Sequence, residues 1–247
     1  MVRSILFSIC FLMLISGFAQ QSAPETQMYK YKLGVDIPIL SIGIGSGIAS
    51  YILYKKKTPI SLEEINALKP EQVNKFDRSA IYRNSNGAKI ASDVFYYSAS
   101  LAPALLFIDK NVRKDWKYVL PMWAEVYGLT SALTLLTKEL ADRKRPYVYN
   151  QNISAESKIS KSSTASFFSG HTSVVAANTF FIAKVYSDYH PDSKFKPLMW
   201  TGAALVPAIT GLCRYGAGKH FFTDILVGYA VGAAIGVLVP HLHKVRK

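Results

Sequence analysis

Six apolar stretches, Leu33–Tyr54, Val94–Ile108, Val119–Thr137, Val174–Val185, Leu198–Cys213 and Ile225–Leu242, limit what this chain can fold into. Each suits a helix. Period-two alternation is short wherever it occurs, and no hairpin dipeptide separates two such runs, so the expected class is all-α. Several stretches fall short of the roughly 20 residues that cross a bilayer upright. The last stretch favours a membrane. Its Gly228, Gly232 and Gly236 recur every fourth residue and form a smooth stripe that another helix can approach closely. The expected architecture is a membrane-embedded helical bundle with about five or six apolar helices around one core.

Arg3 precedes an apolar run from Ile5 to Ile15, followed by Ser16, Gly17, Phe18 and Ala19. Residues 1–19 therefore read as a signal peptide cleaved before Gln20, with an uncleaved anchor as the alternative. Residues 20–91 form an N-terminal region with a peripheral or re-entrant apolar segment, and 92–247 a helical domain. Within the polar part, Ser61-Leu62-Glu63-Glu64 has the pattern of an N-terminal capping box. With Cys10 in the leader, Cys213 is the single thiol of a processed chain, which leaves no internal disulfide. The net charge of +13 calls for an anionic partner. No basic stripe interleaved with aromatics points to nucleic acid, so lipid headgroups or a phosphorylated substrate remain.

Three constellations carry chemistry. Lys138-Glu139-Leu140-Ala141-Asp142-Arg143-Lys144-Arg145-Pro146 stands where an apolar helix ends. If that helix continued, Lys138 and Arg145 would share a face about 10 Å apart, with Pro146 stopping it. Phe168-Ser169-Gly170-His171-Thr172-Ser173 precedes another apolar run. Here the free N–H groups of a helix start make an anion cradle beside Gly170, Ser169 offers a hydroxyl, and His171 offers a proton near neutral pH. The competing reading of Ser169 is a plain N-cap. In the third, Arg214 lies before a glycine-bearing turn, and His220 and Asp224 are four apart at a helix start. The carboxylate then orients one ring nitrogen and leaves the other free to attack. The combined inventory suits phosphoryl transfer, whose transition state spreads negative charge over its equatorial oxygens. No acidic cluster demands a metal, and no cofactor is expected. His190, His241 and His243 lack ligand-like companions and are expected at the surface.

In order and spacing the three constellations resemble the type-2 phosphatidic acid phosphatase superfamily, whose pattern is Lys-x6-Arg-Pro, Pro-Ser-Gly-His, and Ser-Arg-x5-His-x3-Asp. Two positions depart from it: Phe168 stands in place of proline, and Cys213 in place of serine. The resemblance implies a two-step hydrolysis. His220 attacks phosphorus with support from Asp224, His171 protonates the leaving alkoxide, and water activated by His171 then hydrolyses the phosphohistidine. Lys138, Arg145, Ser169, Gly170 and Arg214 would hold the phosphoryl oxygens without a metal.

Membrane members of that superfamily are similar in placing the site outside the cytoplasm, here the periplasmic or extracellular side of an inner-membrane type of bilayer. With a cleaved leader, one of the first three apolar segments must then not cross. Leu33–Tyr54, carrying Asp36 and Pro38, is the expected exception, which puts Lys110, Arg113, Lys114 and Lys117 inside. The expected substrate is a lipid phosphate or diphosphate of the phosphatidate, polyprenyl diphosphate or lipid A type. A soluble exported acid phosphatase is the alternative, and a vanadium-dependent haloperoxidase a further one.

Overall fold

The structure is a computed structural model describing residues 27–245. The expected signal at 1–19 lies outside the described residues. Six long helices make up most of the rest: α1 (Leu33–Lys56), α2 (Asn86–Leu101), α3 (Trp116–Ala141), α4 (Gly170–Tyr189), α5 (Lys196–Gly216) and α6 (Phe222–His243). A 3-10 turn at Ala102–Ile108 extends α2. Among the described residues no strand ladder forms, and one isolated bridge pairs Tyr29 with Lys244. The short helix Leu62–Ala67 opens on the anticipated capping box: Ser61 Oγ accepts the Glu64 N–H at 3.1 Å, and Glu64 Oε2 accepts the Ser61 N–H at 3.2 Å.

The elements holding α1, α2, α3 and α6 are long and apolar enough to cross a membrane. Their outward faces carry Ile37, Ile42, Ile48 and Ile52 on α1, Ile90, Val94 and Tyr97 on α2, Leu135 on α3, and Leu226 and Leu238 on α6, all exposed. Isoleucine and leucine in such numbers on the outside of a bundle are stable against hydrocarbon and costly against water. The helix α4 is the inverse case. At 20 residues it is about 30 Å long. It packs against α2, α3, α5 and α6, and no large hydrophobic residue on it is exposed. Enclosed by protein, it can carry Thr172, Ser173 and Asn178 fully buried.

The contact between α4 and α6 is backbone on backbone. A Cβ added to Gly228, Gly232 or Gly236 would lie 2.6, 2.0 or 2.3 Å from the carbonyl oxygen of Ser169, Ser173 or Ala177. The glycine stripe is therefore a groove into which α4 is seated.

The helices alternate in direction. Where α1 ends, Lys57 pairs with Glu139 and Asp142 at the end of α3. Midway along α2, Asp93 meets His171 at the start of α4, and the start of α6 bonds Ser169. At the opposite end His190 meets Asp109, Tyr189 meets Asp115, and Tyr29 donates to Asp188. All three motifs thus collect at one end of the bundle. Leu33–Lys56 is one continuous helix lying against α3, in which Asp36 is paired and Pro38 lies near the helix start, where few hydrogen bonds are lost. One expectation needs correction. His243 is 1% exposed, not a surface residue, because Asp36 and Glu125 on distant segments supply polar partners.

Candidate active site

The helix α3 delivers Lys138 in its last turn and then stops at Ala141, where Asp142 takes a left-handed conformation at φ 42°. The Lys138–Arg145 helical face therefore does not exist. Arg145 returns to the site from an extended segment, its N–H on Ser163 O at 2.8 Å and its Nε on Ser162 O at 2.8 Å. Lys138 Nζ lies 3.1 Å from where a Cβ on Gly170 would sit. Glycine at 170 thus makes room for the ammonium group as well as for the chain.

Ser169 caps α4. It is fully buried, with its Oγ on Thr172 Oγ1 at 2.9 Å and facing the Thr172 N–H at 3.5 Å, so its hydroxyl is engaged within the helix start. The amides of Gly170 and His171 have no hydrogen-bond partner among the described residues, as expected of the first turn of a helix. They are the donors an anion would meet.

Two side chains on α2 that the sequence reading passed over complete this wall. Asp93 Oδ1 lies 2.8 Å from His171 Nε2 and 3.4 Å from Arg214 NH1, and Ser92 Oγ accepts from the same guanidinium nitrogen at 3.2 Å. Arg214 is 5% exposed, and its Nε has no partner among the described residues. Tyr96 lies against the His171 ring at 4.6 Å between centroids.

His220 precedes α6 and is 1% exposed. Its Nδ1 lies 2.8 Å from the backbone carbonyl of Ser166, which fixes the tautomer as Nδ1–H and leaves Nε2 unprotonated. Asp224 Oδ2 is 3.7 Å from the same nitrogen. The carboxylate accepts instead from Ser166 Oγ at 2.6 Å, from the Phe221 N–H at 2.9 Å, and from Arg143. Direct orientation of the ring by Asp224 is thus replaced by a relay: Asp224 holds Ser166, and the Ser166 carbonyl holds the ring. Burial pushes His220 well below the ordinary imidazole value, and Arg145, Arg214 and Lys138 push it the same way.

The polar segment 57–85 is tied to this end through Asp77. Its carboxylate accepts from Arg143 at 2.8 Å, from Thr223 N and Oγ1 at 3.0 and 2.7 Å, and from Asn74. Burial alone would raise this carboxyl, but these hydrogen bonds hold it below the usual range. The turn that carries His220 also depends on Gly218 at φ 64°, where a Cβ would lie 2.1 Å from the Arg83 carbonyl oxygen. Next to it, Lys219 packs over the Tyr147 ring at 4.3 Å. Burial, then the neighbouring Arg145 and Arg214, lowers its ammonium to about 8. Arg143 sits inside a basic run and Asp93 at the edge of an apolar one, so neither stood out by spacing.

With the geometry in place, residues 121–247 match the profile of the PAP2 superfamily. The chain belongs to this superfamily. It is a PAP2 phosphatase, and the match takes in Lys138 through Asp224. Phosphatidylglycerophosphatase B of Bacillus subtilis (strain 168) is 29% identical over 146 residues, covering 58% of this chain and 67% of its own. A solved structure described as the first transmembrane PAP2 type phosphatidylglycerolphosphate phosphatase from Bacillus subtilis is 19% identical. It covers 82% of this chain and 96% of its own, at a TM-score of 0.40.

Proposed function

We propose that this PAP2 protein hydrolyses a lipid phosphate monoester or diphosphate through a phosphohistidine on His220. The observation that carries the reading is an imidazole held by Nδ1, with a free Nε2, inside a ring of Lys138, Arg145 and Arg214. Those cations and the Gly170 and His171 amides meet the three non-bridging oxygens. Nε2 attacks phosphorus in line, and the bond to the leaving oxygen breaks, that of an alkoxide in a monoester or of the inner phosphate in a diphosphate. With Nε2 of His171 facing Asp93, its Nδ1 is the position that gives the leaving oxygen a proton. Water then attacks phosphorus and yields its proton to the same nitrogen, returning His220 and releasing inorganic phosphate. Every bond change is completed by groups of this chain and one water.

A lipid substrate fits the exposed Ile90, Val94 and Tyr97, which flank Asp93 on α2 and place an apolar lip beside His171. The similarity to phosphatidylglycerophosphatase B makes phosphatidylglycerol phosphate the first lipid to test. The site opens on the non-cytoplasmic side, with Lys110, Arg113, Lys114 and Lys117 inside. The bridge between Tyr29 and Lys244, at the end of the bundle opposite the site, then lies on the cytoplasmic side.

The test is detergent-extracted protein and its His220→Ala variant assayed against phosphatidylglycerol phosphate, phosphatidate, polyprenyl diphosphate, lipid A and a soluble aryl phosphate. Turnover of one lipid well above the rest, lost in the variant, is expected, together with an acid-labile, base-stable phosphoryl-enzyme on rapid quench. Activity on the soluble ester alone would overturn the lipid assignment.

A further inference from the structure

At the bundle end opposite the active site, three side chains from three helices converge. Asp36 comes from the first turn of α1, Glu125 from α3, and His243 is the last residue of α6. Among the described residues this is the one group of three His, Cys, Asp or Glu side chains whose donor atoms all lie within 4.8 Å of one another. We propose that it binds a divalent transition-metal ion of the zinc class through His243 Nε2, Asp36 Oδ1 and Glu125 Oε2.

The surroundings are those of a ligand set. His243 Nδ1 donates to the Val239 carbonyl at 2.8 Å, which turns Nε2 toward the two carboxylates. Metal-bound imidazoles are commonly held in this way by a backbone carbonyl. Asp36 is anchored through its other oxygen, Oδ2, which accepts the Lys32 N–H at 2.7 Å, so Oδ1 faces the cluster. The Glu125 side chain is 7% exposed, and its Oε2 faces His243 Nε2 at 3.6 Å. Two carboxylates gathered around one imidazole inside a bundle are costly, and a cation held among the three donors offsets both charges.

The distances need little change. His243 Nε2 is 2.6 Å from Asp36 Oδ1 and 3.6 Å from Glu125 Oε2. Tetrahedral zinc separates adjacent ligand atoms by about 3.3 Å, so the His243–Asp36 contact must open by about 0.7 Å while Glu125 closes by about 0.3 Å. One imidazole and two carboxylates leave a fourth position for water. Access is from the Asp36 side, 15% exposed at the bundle end. The nearby Lys32 ammonium is committed to the carbonyls of Leu242 and Lys244. The set stands far from His220, so the ion would join α1, α3 and α6 without entering the hydrolysis.

The test uses full-length protein without a histidine tag, stripped with chelator in detergent and titrated with ZnCl2, with MgCl2 as the hard-ion control. Uptake of one Zn2+ per chain is expected. Glu125→Gln and Asp36→Asn should weaken it about tenfold or more, and chelation should lower the melting temperature while turnover is unchanged. No stoichiometric uptake, or uptake unaffected by both substitutions, overturns the site. If the variants do not fold, zinc K-edge absorption on the native chain decides. One imidazole with oxygen neighbours supports the assignment, and a sulfur or a second imidazole overturns it.

Discussion

The His220 ring is held by a main-chain carbonyl: its Nδ1 lies 2.8 Å from Ser166 O and 3.7 Å from the nearest oxygen of Asp224. Asp224 reaches the ring through Ser166 and the Phe221 N–H. Replacing His220 by alanine should abolish turnover. Asp224→Asn should lower kcat by about a hundredfold, since the Ser166 carbonyl still supports the ring. Steady-state kinetics on both variants, with phosphoryl-enzyme trapped by rapid quench, check the order.

Asp93 joins His171 to Arg214, so removing its charge should disturb the proton donor. Asp93→Asn is expected to slow hydrolysis of an alkyl phosphate by about tenfold to a hundredfold and to spare an activated aryl phosphate, whose leaving group needs little protonation. Comparing kcat on the two esters separates this from a general loss of binding, which would affect both.

With His220 as the proposed nucleophile, its depressed value sets the acid limit expected of activity. Its neutral form persists well below pH 6.5, so kcat/KM of the free protein should hold as pH falls through the ordinary histidine range and drop only at more acid values. Lys219 acts at the other end. Its positive charge, present below about pH 8 and lost above it, adds to the anion site. KM should therefore rise as pH passes 8, and in Lys219→Met it should be high and flat over that window. A pH series on both proteins checks each limb.

Gly232 fits against the Ser173 carbonyl with no space for a methyl group. Gly232→Ala has to push α6 away from α4, and about 1–3 kcal/mol of stability should be lost. Thermal unfolding in detergent measures it, with exposed Gly45→Ala on α1, where a Cβ meets nothing within 4 Å, as the control.

Sidedness is open to direct labelling. In a chain with Cys10 and Cys213 replaced by serine, a cysteine at Asn152 and one at Lys194, both exposed and at opposite ends of the bundle, should react with an impermeant maleimide differently. Labelling of position 152 alone in intact cells is the expected result. Labelling of 194 alone would invert the proposed orientation.

The helices and the three motifs were readable in the chain because each is a local pattern of sequence. Lys138, Gly170, His171, Arg214, His220 and Asp224 sit near the ends of apolar helices, and helix ends are where a bundle gathers polar groups. The glycine stripe on α6 was likewise legible from period four. What escaped depends on long-range partners. Asp93 gains its meaning from His171, 78 positions later, and Asp77 from Arg143 and Thr223. His243 looked companionless because its companions are Asp36 and Glu125. The break at Asp142 was hidden because a left-handed aspartate leaves no pattern as clear as glycine or proline.

The enclosure of α4 bears on how the protein is assembled. A helix with no lipid-facing side chains gains little by leaving water alone, and the serine, threonine and asparagine along it resist the transfer. It enters the bilayer favourably once α3, α5 and α6 offer it protein surface, and the groove of Gly228, Gly232 and Gly236 is cut for its backbone. The helix that starts at Gly170-His171, where the proposed site lies, is therefore expected to be among the last seated during biogenesis, so that the proposed chemistry would arrive only as the fold closes.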